Sequence, residues 1–473
     1  MEPDPMRQLA CSLIHTTFDD LPPEAIQATK NHLIHTLGSI LAGSATEGCG
    51  TVTQLVTGWG GAPQSSILVF GSLVPAPHAA LVNSVMAEAG EFQNNDDRIN
   101  YKSSVCAIPA AWATAERLGG VSGNELITAV CAAVDLGIRI GLAINPKPAH
   151  PTAQELGSFA AAAASGKLMG LDEETMLDTL GIAYTGVSVS GSSTSSPSLT
   201  KRLVAGLTAR NGVFAAELAS LGYPANRNIL SGKNGYFRLF HGEEGDYERL
   251  TVDLGKRFEI VEVGPKGYPS CRSTHAAVNA TMNLVERHDI RPEQVEQVTV
   301  TVSRRVLDSS FGAGDPDKLK AKRSPRGVVD AQFSVPYTVA RIITGRKLSF
   351  PDFLPEALRD PQVIELAHRV SPVLDEGLDL WPMDAKPAIV EIVLKDGSRL
   401  TERVEYAKGN PQNPVSYEEI LHNFRACAAS TALPIPREKT ERALELLEGL
   451  EMVEDVSELP KLLSPTRANG RGV

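Results

Sequence analysis

The chain has 473 residues, which exceeds the roughly 250–300 residues at which one hydrophobic core usually stops growing, so its length predicts two domains. Its formal net charge is -11 and 5% of its residues are aromatic, which argues against a nucleic-acid-binding protein, because such proteins carry basic faces and stacking platforms. The six cysteines are scattered without a C-x-x-C pair, so the sequence indicates neither a zinc site nor a disulfide framework.

The N-terminal residues lack the basic and apolar stretches of a secretory signal. No uninterrupted apolar run of about eighteen residues follows. We therefore expect a cytoplasmic protein that binds neither a membrane nor nucleic acid.

The first half of the chain has the pattern of successive helices. After Pro22, apolar residues recur on one helical face as far as Gly43. Further helices are predicted for segments whose alanine and glycine contents allow close helix approach: 107–118, 123–142, 157–168 and 173–184. This pattern predicts a helical bundle.

Strands join the pattern after about Gly264. Residues 295–302 alternate between valine and polar residues, and the segments 389–394 and 400–406 flank an Asp-Gly turn, which is typical of a hairpin. The remaining predicted elements are helices, over 276–288, 333–343, 416–427 and 436–451. The predicted fold class is therefore mainly α, with a large all-α helical domain formed by residues 1–263 and 410–473 and a smaller α+β lid domain formed by residues 264–409.

Ten consecutive residues, 266–275, combine a lysine, a thiol, a guanidinium and an imidazole with no acidic residue among them. In an acidic chain this composition indicates an anion-binding site. Ser270 or Thr274 is predicted to cap the helix that follows, which would place the basic groups near a helix N-terminus that favours a carboxylate or a phosphate. The alternative is a solvated loop with Cys271 as a core residue.

Basic residues also occur elsewhere in the chain. Lys201 and Arg202 precede a predicted helix over 213–221, where their charges either hold a carboxylate or simply lie in a solvated first turn. His150 lies between nearby prolines that restrict it, which suits a proton-transfer group, although a loop histidine without a chemical role is the alternative. For the basic run 318–326, a solvated loop is the preferred interpretation.

Acidic residues cluster at Glu88, Glu91, Asp96 and Asp97, shortly before Lys102. They can orient a base, and the alternatives are a magnesium site or a flexible acidic loop. The chain has no nucleotide-binding glycine motif and no G-x-S-x-G elbow. The residues therefore predict a site that uses no organic cofactor and accepts a small polycarboxylate, with proton transfer next to a carboxylate as its chemistry.

Several motifs, in this order along nearly the whole chain, resemble the MmgE/PrpD family. They are Leu81-Val-Asn-Ser, Ile108-Pro-Ala-Ala, His150-Pro-Thr, Gly181-Ile-Ala, Thr200-Lys-Arg, Lys266-Gly-Tyr-Pro-Ser-Cys, Asp330-Ala-Gln-Phe-Ser-Val-Pro-Tyr and Gly409-Asn-Pro. The resemblance implies the two-domain fold described above, a homodimer and an activity without an organic cofactor. The residues leave a cofactor-free or a weakly metal-dependent site open, and of these we predict a site without a cofactor or a metal. Members of this family remove or move a proton next to a carboxylate, with loss of water or carbon dioxide or with inversion of a centre.

The resemblance also implies roles for individual residues. His150 or Lys266 would take the proton, while Lys201 and Arg272 hold carboxylates and offset the developing negative charge. We predict the following site: His150, Lys266, Lys102 and Cys271 as catalytic residues, and Lys201, Arg202, Arg272, His275 and Glu88 as substrate-binding residues.

The chain departs from the family pattern in one segment. Glu88 stands where family sequences commonly have a histidine, residues 91–94 replace an aspartate-rich run, and Lys102 begins the triplet that replaces His-Pro-Ser. These changes alter three acid/base positions, and lysine chemistry differs from that of imidazole.

Three hypotheses for the function follow. The first is a cofactor-independent lyase, of the hydro-lyase type, that acts on a hydroxy di- or tricarboxylate. The second is an epimerase or a decarboxylase of a related polycarboxylate. The third is a non-catalytic homologue that binds carboxylates without turnover.

Overall fold

The computed structural model describes residues 4–144, 153–187, 198–382 and 384–465, and its fold is mainly α, as predicted. The first part of the chain forms helices α1 Met6–His15, α2 Pro23–Gly43, α3 Cys49–Trp59, α4 Ala76–Ala89, α5 Ser104–Leu118, α6 Gly123–Leu142, α7 Ala153–Leu168, α8 Glu173–Thr185 and α9 Thr200–Ser220.

Local sequence explains how several of these helices begin. Pro23 occupies the first turn of α2, where a missing backbone N–H costs nothing. Ser122 caps α6, since its hydroxyl accepts a hydrogen bond from the backbone N–H of Glu125 while the Glu125 carboxylate accepts one from the backbone N–H of Ser122.

Helix α9 is longer than the predicted 213–221 segment, and Lys201 and Arg202 lie in its first turn. Two glycines in its interior allow close packing on neighbouring helices. A Cβ atom at Gly206 would lie 2.6 Å from the carbonyl oxygen of Leu81 in α4, and one at Gly212 would lie 2.4 Å from Cβ of Ala161 in α7. Packing against α4 and α7 thus keeps α9 helical through Gly206 and Gly212, although glycine by itself disfavours a helix.

The rest of the chain mixes helices with strands. Its helices are α10 Tyr236–His241, α11 Tyr247–Thr251, α12 His275–His288, α13 Arg304–Val306, α14 Pro316–Arg323, α15 Val328–Gln332, α16 Val335–Gly345, α17 Pro361–His368, α18 Tyr417–Ala428, α19 Arg437–Glu448 and α20 Leu459–Leu462. The strands of the whole chain are β1 Ser65–Ser66, β2 Leu73–Val74, β3 Asn94–Asn95, β4 Gly264–Pro265, β5 Val295–Val302, β6 Val370–Leu374, β7 Ala388–Leu394 and β8 Arg399–Val404.

Four of the strands form one sheet in the order β6-β5-β7-β8. Strands β7 and β8 pair antiparallel as the predicted hairpin, and β5 pairs antiparallel with β7. Strand β6, which was not predicted, pairs parallel with β5 at the edge of the sheet, a position that tolerates its proline Pro372.

Buried apolar residues form two large cores. The larger core draws on residues between Met6 and Val263 and again between Val415 and Leu463, so both ends of the described chain contribute to it. The smaller core lies between Ala276 and Ala407 and is made of the four-stranded sheet and its helices. A small apolar group connects the parts of the chain that carry them: Ala42, Phe92, Phe350 and Cys427.

In the described ranges, no helix is both long enough and apolar enough to cross a membrane.

Candidate functional site

A short strand pair brings the acidic segment and the basic segment of the sequence together. Strand β3 pairs antiparallel with β4, with Asn94 opposite Pro265 and Asn95 opposite Gly264. The residues before β3 therefore lie beside the residues after β4, and most of them are buried. The acidic segment is a packed part of the structure and not the flexible loop that one interpretation allowed.

Lys266 lies at the centre of this junction and is 1% exposed. Its Nζ donates to the backbone oxygen of Glu91 at 3.0 Å, to Oε2 of Glu91 at 2.9 Å and to Oε1 of Gln93 at 2.9 Å. Burial, together with the neighbouring Lys102 ammonium, lowers the pKa of Lys266 well below its usual value. Lys266 is therefore a stronger acid than an exposed lysine.

Two carboxylates bridge three lysines. The Lys102 Nζ and the Lys201 Nζ each lie 2.5 Å from Oε1 of Glu88. Lys201 also contacts Oε1 of Glu91, whose other oxygen binds Lys266. The backbone of Glu91 has a φ of 49°, in the left-handed region, so the turn is strained where it places this carboxylate between the lysines.

We refer to Lys102, Lys201, Lys266, Glu88 and Glu91 as the lysine–glutamate cluster. With all five side chains ionised, its three positive and two negative charges sum to one positive charge. The sequence predicted an anion site with Glu88 among its substrate-binding residues, whereas in the structure the carboxylates of Glu88 and Glu91 contact the three lysines.

Glu88 is ionised at neutral pH. Burial alone would raise its pKa, but the Lys102 and Lys201 ammonium groups outweigh burial and lower it to about 2. The Gln93 side chain adds hydrogen bonds to the backbone oxygen of Glu88 at 2.9 Å and to its Oε2 at 3.0 Å. Gln93 thus contacts both Glu88 and Lys266 and fixes their relative position.

Cys271 is partly buried next to the cluster. Burial would raise the pKa of its thiol, but the Lys266 ammonium, hydrogen bonds from Ser273 and the Lys201 ammonium together lower it. Its backbone N–H donates to the carbonyl oxygen of Gln332 at 2.8 Å. The structure therefore places Cys271 beside Lys266 and Lys201, as the sequence predicted.

Arg272 belongs to a second network. Its guanidinium donates to Asp97 through Nε at 2.9 Å and through Nη2 at 2.6 Å, and the Lys386 Nζ lies 2.9 Å from the same carboxylate. Asn410 donates to Asp97 at 3.3 Å. Burial would raise the pKa of Asp97, and the two cations lower it further than burial raises it. Arg272 was predicted to hold a substrate carboxylate, and the structure pairs it with the carboxylate of Asp97.

His275 is fully buried in the first turn of α12. Its Nε2 lies 3.1 Å from the carbonyl oxygen of Ser270 and its Nδ1 lies 3.3 Å from the Arg272 guanidinium. Burial and the Arg272 charge lower the pKa of His275 well below its usual value. A neutral imidazole that donates from Nε2 and accepts at Nδ1 satisfies both contacts, so His275 supports Arg272.

The predicted helix cap was wrong. The Thr274 hydroxyl donates to the carbonyl oxygen of Cys271 at 2.9 Å, and the Ser270 hydroxyl lies 2.8 Å from the Thr274 hydroxyl. Helix α12 begins without a side-chain cap because these hydroxyls satisfy each other and the preceding 3-10 turn.

Arg202 is buried and, among the described contacts, forms no salt bridge with either cluster carboxylate. Its Nη1 donates to the carbonyl oxygen of Glu47 at 2.7 Å, and its Nη2 has no hydrogen-bond partner among the residues that the structure describes. Burial lowers the pKa of Arg202.

His150, which the sequence analysis predicted as a catalytic residue, lies outside the residues that the structure describes.

The sequence analysis interpreted the basic run 318–326 as a solvated loop, but Lys322 of this run lies in a helix and is partly buried. Lys322 lies in α14 with its Nζ 5.9 Å from the centroid of the Phe333 ring, and the Lys201 Nζ lies 5.1 Å from the same centroid. The spacing of helical residues was a usable signal, because Lys318 and Lys322 share one face of the helix and Lys320 lies on another.

Lys386 and Asn410 were missed for a different reason. Both contact Asp97 from nearly 300 or more positions further along the chain. No motif marks Lys386, and Asn410 lies in the Gly409-Asn-Pro motif, to which the sequence analysis assigned no role.

The magnesium interpretation of the acidic segment lacks support. Within the described ranges, no group of three or more His, Cys, Asp or Glu side chains has an arrangement that could hold a metal ion. Glu88, Glu91 and Asp97 bind lysine and arginine side chains, and Asp96 binds Arg98 at 2.6 Å.

A cavity of about 820 Å³ lies beside the cluster, between the segment around Glu47, the C-terminal segment around Ser430 and the residues from Pro325 to Arg359. Gln332 lines this cavity, and its side chain also donates to the carbonyl oxygen of Gly90 at 3.4 Å. The five cluster residues do not line the cavity. The buried charges therefore lie behind the residues that form the cavity surface.

Two domain models of one protein family match most of the chain. The MmgE/PrpD N-terminal domain matches residues 7–248, and the MmgE/PrpD C-terminal domain matches residues 268–449. The second match begins at residue 268, within the basic segment 266–275 of the site.

Several curated relatives cover almost the whole chain. Cis-aconitate decarboxylase from Aspergillus terreus is 26% identical over 463 residues, which are 94% of this chain and 93% of the relative. Cis-aconitate decarboxylase from Mus musculus is 27% identical over 454 residues, with coverages of 93% and 89%, and that from Homo sapiens is 26% identical over 465 residues, with coverages of 94% and 91%. With both family domains matched in order, the chain belongs to the MmgE/PrpD family.

Proposed function

We propose that this protein is a lyase that acts on a small polycarboxylate without an organic cofactor, and that it releases carbon dioxide from a substrate similar to cis-aconitate. The observation that carries the proposal is the convergence of Lys102, Lys201 and Lys266 on two buried carboxylates beside Cys271. The names of the relatives favour decarboxylation over the hydro-lyase reaction that the sequence analysis placed first.

The substrate would enter this cluster by replacing internal contacts with its own. A substrate carboxylate that takes the place of the Glu91 carboxylate beside Lys201 and Lys266 keeps both ammonium groups paired. Such an exchange is favourable only if the new contacts are as good as the old ones, because an unpaired buried charge is costly. The strained backbone of Glu91 lowers the cost of moving it.

The chemical step follows from these positions. The bond between a carboxylate and its carbon breaks, carbon dioxide leaves, and the electron pair is delocalised toward the adjacent double bond and carboxylate. The Lys201 ammonium offsets the charge that develops. The Lys266 ammonium, whose lowered pKa makes it a stronger acid, donates the proton that completes the product and is reprotonated from solvent. His150 stays the second candidate for this proton transfer, by family resemblance.

A substrate panel tests the proposal. The wild-type protein is incubated with cis-aconitate and with saturated hydroxy tricarboxylates, and products are followed by NMR spectroscopy and by carbon dioxide release. We expect carbon dioxide from cis-aconitate and its loss in Lys201→Ala, whereas Lys233→Ala, which changes an exposed lysine, retains wild-type activity. Water loss from a hydroxy acid or inversion of a centre, without carbon dioxide, would assign one of the other two reactions.

A second candidate, a carboxylate-binding protein without turnover, is favoured by one observation. All three hydrogens of the Lys266 ammonium have acceptors from Glu91 and Gln93, so none of them is directed at a substrate in this arrangement. This candidate predicts that polycarboxylates raise the melting temperature without any product.

We also propose that the protein is a homodimer, on the family resemblance alone. Light scattering coupled to size-exclusion chromatography measures its mass directly, and a monomeric mass at micromolar concentration would exclude the dimer.

A further inference from the structure

Lys322 is a partly buried cation next to the lysine–glutamate cluster. It belongs to the part of the chain that forms the smaller core, whereas Lys102 and Lys201 belong to the part that forms the larger core. Lys322 lies in the last turn of α14, which precedes Gln332 and Phe333. Its Nζ lies 5.9 Å from the centroid of the Phe333 ring. The Lys201 Nζ, from the larger helical part, lies 5.1 Å from the same centroid. The Phe333 ring thus has two ammonium groups beside it, one from the part of the chain with the larger core and one from the part with the smaller core.

The two ammonium groups differ in their partners. Lys201 contacts the carboxylates of Glu88 and Glu91. Lys322 forms no salt bridge with any residue that the structure describes, although α14 also carries Lys318, which pairs with Asp315. Burial lowers the pKa of Lys322, while the charges of Cys271 and Asp330 act in the other direction. Lys322 is therefore a partly desolvated cation whose hydrogen-bonding capacity is open.

A carboxylate is the group that would complete this position. A partly buried ammonium group without an acceptor loses hydration and gains only the attraction of the Phe333 ring, whereas a carboxylate supplies both charge and hydrogen-bond acceptors. The nearby carboxylates of Glu88 and Glu91 already bind Lys102, Lys201 and Lys266. The charge of Asp330 acts on Lys322 but forms no salt bridge with it in the described structure, so a ligand is the remaining source of a carboxylate in direct contact.

We propose that Lys322 binds a second carboxylate of the substrate, while Lys201 and Lys266 bind the first. The inference rests on the proposed function, because it takes the lysine–glutamate cluster as the reacting end of the site. It assigns the substrate to the di- and tricarboxylates, and it makes Lys322 the residue that discriminates against monocarboxylates. Phe333 would lie against the carbon skeleton that joins the two carboxylates.

The test removes the charge of Lys322 and one charge of the ligand, first separately and then together, and compares the changes in binding affinity. Succinate and succinamate differ only in one carboxylate that is replaced by an amide, and neither is decarboxylated by the proposed reaction. Their dissociation constants are measured by calorimetry with four proteins: wild type, Lys322→Gln, Lys322→Arg and Lys320→Gln. Lys320 is an exposed lysine in the same helix and serves as the matched control.

We expect the wild-type protein and Lys320→Gln to bind succinate about tenfold to a hundredfold more tightly than succinamate, as for a charged hydrogen bond. In Lys322→Gln the two ligands should bind within about threefold of each other, with succinamate affected little. Lys322→Arg keeps the charge and should restore most of the preference, which separates charge from folding. The KM for cis-aconitate should rise in Lys322→Gln by a similar factor, with a smaller change in kcat.

The outcomes separate this inference from the proposed function. If the wild-type protein turns over cis-aconitate but Lys322→Gln retains the preference for succinate and the wild-type KM, the role of Lys322 is overturned and the proposed function stands. If the wild-type protein neither binds succinate nor releases carbon dioxide from cis-aconitate, the proposed function itself fails. A loss of preference in Lys320→Gln equal to that in Lys322→Gln also overturns the assignment, because it would reflect the charge of the whole helix.

Discussion

Glu88 and Glu91 are the residues that change the expected site most. The segment 266–275 contains no acidic residue and indicated an anion site, and the sequence analysis placed Glu88 there only as a substrate-binding residue. The structure brings two carboxylates into contact with the three lysines of the lysine–glutamate cluster. A buried charge of this kind is stable only while it has an oppositely charged partner. A substrate carboxylate therefore has to compete with an internal carboxylate for the lysines.

Removing one of these carboxylates tests that view. In Glu88→Gln, Lys102 and Lys201 lose their shared partner, and we expect the free energy of unfolding to fall by roughly 3–5 kcal/mol, as when one member of a buried ion pair is removed. The same variant should bind polycarboxylates more tightly, because the site then carries an additional unpaired positive charge.

Urea unfolding and calorimetry measure the two effects. Glu174→Gln is the matched control, since Glu174 pairs with Arg7 and Arg227 but its side chain is 51% exposed, and we expect a much smaller loss because solvent screens an exposed pair. Equal losses in the two variants would mean that the buried pairing around Glu88 contributes no more than a surface pair.

Local sequence predicted the basic residues of the site better than their partners. The motif from Lys266 to Cys271 is contiguous, so its character was visible directly. The pairing of Arg272 with Asp97 was not visible, because it depends on the β3–β4 strand pair, which has two residues in each strand and no hydrophobic pattern. Short strands that join distant segments leave no periodic signal.

Among the elements, long helices and the hairpin agreed with their patterns, and the errors have physical causes. Helix α9 was predicted only over its last third, because Gly206, Asn211 and Gly212 are poor helix formers. Tertiary packing overrides that preference. Strand β6 was missed because it contains Pro372 and lies at a sheet edge, where pairing with β5 defines it.

The glycines of α9 provide a test of this packing. In Gly206→Ala the new Cβ would lie 2.6 Å from the carbonyl oxygen of Leu81, so α9 and α4 must separate, and we expect a loss of roughly 1–3 kcal/mol in the free energy of unfolding. The control is Gly58→Ala in α3, where a Cβ meets nothing within 4 Å, and there we expect a gain of up to about 1 kcal/mol.

Chemical denaturation of the two variants checks this prediction. A neutral or stabilising Gly206→Ala substitution would show that close approach of α9 and α4 is not required.

At the scale of the whole molecule, the sequence predicted a mainly α chain, and this was confirmed. The change from helical to alternating pattern after Gly264 also coincides with the start of the second family match at residue 268. The proposed boundaries at residues 263 and 409 stay predictions. The match extends to residue 449, whereas helices α18 and α19 contribute residues to the larger core.

The stability of the whole molecule should depend on pH through buried histidines. Burial lowers the pKa of His32 from 6.5 to about 4, and its Nε2 donates to the carbonyl oxygen of Val263 at 3.2 Å. Because the folded pKa is lower than the unfolded one, the unfolded state takes up the proton first as the pH falls. Stability is therefore lost between pH 6.5 and pH 4, and His32 alone should contribute a loss of about 2 kcal/mol from pH 7 to pH 5.

Urea unfolding at these two pH values, in the wild-type protein and in His32→Gln, measures this contribution. The glutamine keeps a donor for Val263 but does not titrate. The same dependence on pH in both proteins would show that His32 is not kept neutral by burial.

The most direct test of the central claim concerns the proton that Lys266 is proposed to donate. The wild-type protein and Lys266→Met are incubated with cis-aconitate in deuterated water, and carbon dioxide and the deuterium content of the product are measured. We predict carbon dioxide release by the wild-type protein with one deuterium in each product molecule, and a rate at least about a hundredfold lower in a folded Lys266→Met protein. Equal rates in the two proteins, or no carbon dioxide from the wild-type protein, would contradict this account.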